Sequence, residues 1–429
     1  MTARAGARAG AFGIADQVLL SLGNLAVGLA LARELPASAF GVYVVAFAVL
    51  LMGLSVQVAL VTDPLVIFGS TRSGTAQSRY FASLIRVQAL IAAGLAALLG
   101  AVGFGWWAAG GGGSEFPPAL FGVAIAIVPL QIQWFFRAVF FARLRPAAVF
   151  WNDLLCIGLR LVALGGLIAA GRLSAFSAFL AAGLGALVAS AVAAPLCRDL
   201  FVSGFEPLRG IWGEHWRYGR WLLATSGAYW CSGQAPALLA SSLLSPVAAA
   251  VIKACQFMVA PLNVTLNGLD GVLAPRAARV HAGEGPAGLA RFCRVFAGLA
   301  AAGALVYCAA LLPLAPAIMD VVFKGRYSGR TAIVAVLMLD AVLSAAARAP
   351  VLRLKVLGET RRVFAAYAVS AAAGLTCLLV LAPLYGILGA AMSAPAASGV
   401  LLFVLLASAR RAPAGIVAPV ARAAAVPES

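Results

Sequence analysis

The chain has 429 residues, 63% of them hydrophobic and only 10% charged, with a mean hydropathy of +1.01. A soluble domain is nearer half apolar, so this composition excludes a water-soluble globular protein and defines an all-α, polytopic membrane protein. The formal net charge is +17, but the basic residues are spread among short loops instead of forming a patch, which excludes nucleic acid as a partner.

The N-terminal segment carries Arg4 and Arg8 ahead of an apolar run, and Ala30-Leu31-Ala32 would pass as a cleavage site. Asp16, Gln17 and Asn24 interrupt that run and spoil a signal-peptide core, so a retained first helix is expected. Twelve apolar runs can be marked: 14–33, 40–61, 81–104, 119–141, 153–170, 174–196, 220–244, 247–273, 292–313, 331–352, 363–382 and 384–407. Each is long enough to span a bilayer, which takes about 20 residues. The longest inner connection, 197–219, holds Trp212 and Trp216 among charged residues and reads as an amphipathic segment at the interface. The expected organisation is therefore an N-terminal six-helix bundle over 1–197, a cytoplasmic amphipathic linker over 198–219 and a C-terminal six-helix bundle over 220–429.

Charge supports this map. With the N-terminus in the cytoplasm, the inner segments hold 23 Lys and Arg and the outer loops hold 5. That bias follows the positive-inside rule and places both termini in the cytoplasm of a cell inner (plasma) membrane protein. The two halves also match at an offset of about 210. Asp16, Asn24 and Pro36 are spaced like Ser226, Gln234 and Pro246; Gln57 falls opposite Asn267, Pro64 near Pro275, and Arg137 opposite Arg348. Both copies start inside, so the two bundles are pseudo-symmetric parallel repeats, an arrangement in which cargo binds between halves that rock against each other.

Polar residues inside the runs are the candidate site. Lys253, Gln256, Asn263, Asn267 and Asp270 have gaps of 3, 7, 4 and 3. At ~100° per residue they share one helical stripe, and a stripe headed by a cation should face protein or water instead of lipid. Pro261 lies off the stripe and is expected to kink the helix. Arg160, Lys253 and Asp340 lie too deep for easy snorkelling and are expected to line a water-filled cavity, with Asn24 and Gln234 facing them. Asp16, Asp153, Asp270 and Arg86 form a second set, for coupling or gating; the three acids read equally as partners of nearby Arg, and Arg86 as snorkelling inward.

Enzymatic signals are weak. Gly110 to Gly113 lacks the strand and the Lys-Ser/Thr of a phosphate cradle and reads as an outer hinge loop. His215 and His281 stand alone in inner loops and read as solvated. The seven cysteines form no CxxC pair and have no His pair nearby, so no disulfide framework, metal site or other cofactor is expected.

Several stretches resemble the polysaccharide-biosynthesis, lipid-linked oligosaccharide flippases of the multidrug/oligosaccharidyl-lipid/polysaccharide superfamily. They are Asp16-Gln17 with Asn24, Leu31-Ala32-Arg33 and Phe40-Gly41-Val42-Tyr43; Arg137 with Arg143-Leu144-Arg145-Pro146 and Asn152; and Tyr218-Gly219-Arg220-Trp221 through Pro261 to Ala274-Pro275-Arg276. The resemblance implies twelve or fourteen helices in two bundles around a hydrophilic cavity. It also implies a polyprenyl-pyrophosphate-linked oligosaccharide as cargo, and membrane lipids and other polysaccharide-assembly proteins as partners. Cavity Arg and Lys would hold the pyrophosphate by charge-assisted hydrogen bonds. A cation/drug antiporter shares that fold and would use Asp16 and Asp340, but Arg160 and Lys253 argue against it. A major-facilitator carrier would show Asp-Arg-x-Gly-Arg-Arg where this chain has Phe68-Gly69-Ser70-Thr71-Arg72-Ser73-Gly74. A glycan polymerase or ligase would need a larger outer loop than 105–118 or 314–330. Cysteine labelling of intact cells tests the map: 105–118 and 314–330 should react from outside, and reaction of 197–219 would overturn it.

Overall fold

The computed structural model describes residues 3–202, 204–233 and 235–410. The chain forms two compact units, Met1–Gly227 and Ala228–Ser429. Among the described residues ten helical segments are long and apolar enough to cross a membrane. One of them, Arg361–Ser408, contains the last two of the twelve expected runs. The run 220–244 falls on the end of one helix and on a short second one, and neither is among the ten.

The first unit contains α1 (Ala3–Glu34), α2 (Ala37–Gln57), α3 (Asp63–Ser70), α4 (Gly74–Ala108), α5 (Phe116–Ala142), α6 (Pro146–Ala169), α7 (Ala175–Leu196), the short α8 (Asp199–Val202) and most of α9 (Leu208–Gly233). Proline sits in the first turn of α5 and α6, where its missing N–H costs nothing. Ser174 and Ser177 form a reciprocal capping box at the start of α7. α5 is central and packs on α2, α3, α4 and α7, while α7 and α1 flank α6. Close approach is built in at Gly185, where an added Cβ would lie 2.5 Å from the Cys156 carbonyl. At the α4/α5 end the core is aromatic, with Tyr80, Phe81, Phe135, Phe136 and Phe140 all buried. Further along, the buried amides of Gln57, Gln88 and Gln131 tie three helices: Gln57 Nε2 donates to the Gln131 carbonyl (2.7 Å) and Gln88 Nε2 to Gln131 Oε1 (2.7 Å).

The second unit holds α10 (Ala235–Leu243), α11 (Pro246–Leu311), α12 (Ala315–Phe323), α13 (Thr331–Val356) and α14 (Thr360–Arg410). α11 and α14 are helical hairpins. α11 reverses at Gly285 (φ 69°, ψ −166°), and the Tyr307 hydroxyl of its second arm donates to the Met258 carbonyl of its first (2.8 Å). α14 reverses at Gly386 (φ 59°, ψ −135°), in the positive-φ region that favours glycine. Ser370 on one arm then donates to the Ala397 carbonyl on the other (2.7 Å). The backbone of α11 keeps helical dihedrals through Pro261.

The connection at 197–219 is mostly helical, and it is fastened to the helices before it. Between α2 and α3 the chain makes one turn of π-helix, Val58–Thr62. Pro64 has no N–H, so the carbonyl of Leu60 lacks the α-helical donor four residues on. His215 supplies one: Nδ1 lies 2.9 Å from that carbonyl, and Nε2 lies 2.7 Å from the Tyr80 hydroxyl. A carbonyl only accepts, so Nδ1 carries the proton and the neutral ring accepts from Tyr80 through Nε2. This corrects the expectation of a solvated His215, which is fully buried. The pattern of polar neighbours suggested a surface loop, whereas the proline-vacated carbonyl holds the ring inside. His281, by contrast, is half-buried.

Burial pushes the His215 imidazole below its ordinary value; the Leu60 carbonyl and Glu214 oppose this, and Arg72 adds to it. A histidine whose folded value is depressed stabilises the structure above its unfolded value of about 6.5, and that contribution is lost as pH falls through the folded value. The anchoring of α9 should accordingly weaken below about pH 6.5. Hydrogen exchange over residues 209–219, corrected for intrinsic rate, should show lower protection at pH 5.5 than at pH 7.5. His215→Gln should remove that difference.

Candidate functional site

Two polar layers cross the first unit between α1 and α6. The lower one is centred on Arg137 of α5. One guanidinium nitrogen reaches Asp16 Oδ2 on α1 (2.5 Å) and the other Asp153 Oδ2 on α6 (3.1 Å). Gln133 Nε2 donates to Asp153 Oδ1 (2.6 Å) and to Asn152 Oδ1 (3.1 Å), and Asn152 Nδ2 donates to the Ala189 carbonyl of α7 (2.8 Å). Asp16 and Asp153 are each 1% exposed and Arg137 is 7% exposed. Two carboxylates therefore share one cation out of reach of solvent, and Asp16 Oδ1 has no hydrogen-bond partner. An odd negative charge in such a place invites a proton or a small cation.

The upper layer lies two helical turns further along, about 12 Å at 1.5 Å per residue. Here Arg160 of α6 donates to Asn24 Oδ1 of α1 (3.4 Å) and to the Tyr43 hydroxyl of α2 (3.3 Å). Both contacts are long, both acceptors are neutral, and the Arg160 Nε has no partner. Among the described residues no carboxylate pairs with Arg160. The structure thus joins Arg160 with Asn24 and joins Asp16 with Asp153. Arg86 belongs to neither layer; its guanidinium lies over the ring of Phe205 at the α8–α9 connection.

In the second unit Lys253 is half-buried on the first arm of α11, with its ammonium 5.9 Å from the ring centre of Phe257 and no carboxylate partner among the described residues. Gln256 and Asn263 are half-buried and Asn267 is exposed, and none of the three makes a hydrogen bond among the described residues. The stripe ends at Asp270, which Arg348 of α13 engages in an ion pair. Asp340, also on α13, accepts from Ser398 Oγ (2.6 Å), which is 3.0 Å from Ser344 Oγ. Gln234 lies outside the described residues.

Sequence reasoning did not assign a site role to Arg137, Gln133, Asn152 or Tyr43. Arg137 showed itself as the residue opposite Arg348 in the repeat and at the head of one resembling stretch, and Tyr43 only inside the Phe40-Gly41-Val42-Tyr43 stretch.

This is the helical fold of multidrug/oligosaccharidyl-lipid/polysaccharide transporters. No protein-family model matches the sequence, and no curated protein matches it. Solved structures do match. A multidrug resistance MATE family transporter in an inward-facing conformation aligns with a TM-score of 0.76 at 14% identity, covering 92% of this chain and 94% of that one. The lipid II flippase MurJ in an inward closed conformation aligns at 0.66 and 11%, covering 94% and 88%. A superfamily transporter from Pyrococcus furiosus, described as having a binding pocket of reversed polarity, aligns at 0.58 and 15%, covering 95% and 94%. At these identities the likeness is one of fold.

Removing Arg137 would leave two buried carboxylates facing each other, and breaking a buried pair in this way costs about 3–5 kcal/mol. In thermal unfolding in detergent, Arg137→Gln should be strongly destabilised. Asp153→Asn, which keeps one acid for one cation, should lose much less, and Arg160→Gln should stay near wild type. A wild-type melting point for Arg137→Gln would show that the lower layer does not hold the three helices.

Proposed function

We propose that the protein is a flippase that moves a polyprenyl-pyrophosphate-linked oligosaccharide from the inner to the outer leaflet of the cell inner membrane, with both termini cytoplasmic. One observation carries this reading. The acids Asp16, Asp153 and Asp270 are engaged by Arg137 and Arg348, whereas Arg160 and Lys253 in membrane-length helices have no acidic partner among the described residues. A cation left unneutralised away from bulk water is a strong site for an anion, because screening there is weak. The pyrophosphate is the anion common to such cargo. Arg160 offers such an anion a planar fork, and Lys253, in its own unit, a point charge. Asn24, Gln256, Asn263 and Asn267 offer neutral donors and acceptors for sugar hydroxyls. The Asp16–Arg137–Asp153 layer supplies a coupling site, since its odd negative charge changes when one proton or small cation binds. Asp270 would gate by keeping or releasing Arg348.

A second reading, a cation/drug antiporter, is favoured by Asp340. Its carboxylate takes a hydroxyl from Ser398 and no cation among the described residues, so it could hold a cationic drug. The MATE transporters among the structural neighbours make this a fair rival.

Substitution separates the two. Lys253→Ala should reach normal membrane levels and lose glycan export, while Lys253→Arg keeps part of it because charge is retained. Arg160→Gln should also lose export. Under the antiporter reading those variants would export glycan at the wild-type rate, and Asp340→Asn alone would abolish drug efflux. Surface glycan measured against membrane protein level decides the matter.

A further inference from the structure

The segment from Arg198 to Arg217 sorts its charges by sign. All three of its acids turn toward the first unit. Asp199 pairs with Arg143 and accepts from Ser78 Oγ (2.5 Å). Glu206 and Glu214 both approach Arg72, at 3.7 and 3.6 Å. Burial alone would raise the Asp199 carboxyl, but the bonds from Arg143 and Ser78 outweigh it and hold the group below the usual carboxylate range. The backbone of Glu206 exchanges bonds with Ser83 (2.8 and 3.1 Å), and the buried His215 fixes the first turns of α9.

The opposite face carries the cations. On α9, Ile211, His215 and Gly219 form the buried stripe. At ~100° per residue from His215, Trp212, Trp216 and Arg209 lie about 60°, 100° and 120° round one side of the stripe, and Arg217 lies about 160° away, on its back. Trp212 and Trp216 stack with ring centres 6.4 Å apart, yet remain 38% and 45% exposed. Arg198, Arg209 and Arg217 are exposed and make no ion pair among the described residues. Phe201 of α8 and Phe205 after it are 60% and 43% exposed, the Phe205 ring meeting Arg86 on one face.

We infer that this face is a binding platform for anionic phospholipid headgroups, held rigid from behind by the Arg72, Arg143 and His215 contacts. The stacked indoles have an apolar body and an N–H donor, the combination that settles at the headgroup level. The three arginines match the phosphodiester charge, and the acids that would repel it have been drawn to the other side.

Full-length protein in detergent would be equilibrated with equal amounts of phosphatidylglycerol and phosphatidylcholine, and the retained lipids counted by native mass spectrometry. Each arginine at an anionic surface contributes about fivefold. Wild type should favour phosphatidylglycerol, and the preference should fall with rising salt. The triple variant Arg198→Gln, Arg209→Gln, Arg217→Gln should lower the preference roughly tenfold or more. The corresponding triple Lys variant should keep most of it. A charge-matched control, Arg279→Gln, Lys355→Gln, Arg361→Gln, should keep it as well. Equal loss in the control, or an unchanged preference in the first variant, would overturn the proposal.

Discussion

The first unit depends on one guanidinium. Arg137 reaches from α5 to Asp16 on α1 and Asp153 on α6, and Gln133 and Arg160 add hydrogen bonds among the same three helices. In a bilayer, apolar faces gain little from meeting each other, because lipid is as apolar as they are. Charges that must find partners are therefore the stronger constraint on register. Once Asp16 and Asp153 are pinned, α1 and α6 have no freedom to slide, and Asn24 and Arg160 arrive at the same level two turns on. The upper layer is a consequence of the lower one.

The second unit uses the same device differently. Arg348 stands opposite Arg137 in the repeat and also ends in an acid, but that acid, Asp270, comes from the first arm of α11. Under the offset of about 210, that arm corresponds to α2 and neither to α1 nor to α6. Other matched positions diverge too: Gln57 is fully buried in an amide network, whereas Asn267 is exposed in its own unit. In each unit the arginine at this position is neutralised, but by acids on helices that do not correspond under the offset.

Much of this was legible in the sequence because bilayer physics writes plainly. Long apolar runs gave nearly all the spans, and any polar residue inside them stood out. The wiring among those residues was less legible. Periodicity puts Asp16 and Asn24 on one face, but it cannot say that one meets Arg137 and the other Arg160, because both partners come from helices more than a hundred residues away. Tyr43 stood out only as part of the Phe40-Gly41-Val42-Tyr43 stretch, and only the approach of α6 makes its hydroxyl an acceptor. His215 was misread because its neighbours are charged; the reason for its burial lies at Pro64, which empties a carbonyl on a different helix. The hairpin turns at Gly285 and Gly386 were partly hidden for the opposite cause: each continuous stretch of helix-compatible residues holds one glycine whose φ reverses the chain.

Charge pairing also separates scaffold from working parts. A paired, buried charge is a fixed piece of structure, because separating it from its partner exposes both to a medium that solvates neither. Arg137 fits that description, and its value is positional; Arg348 is paired too, but only half-buried and with a more exposed acid. Arg160, Lys253 and Asp340 do not fit it: each sits in a membrane-length helix with neutral neighbours only, among the described residues. The desolvation that such a residue incurs has to be offset by something, either water or a ligand of opposite sign. Two of the three are cations, which tilts the balance toward an anionic cargo; the one acid keeps an antiporter in contention. The α8–α9 segment repeats the separation, with its acids drawn into pairs and Arg198, Arg209 and Arg217 left exposed. In both places the ion pairs fix the frame, and the charges without partners are the ones available to a ligand.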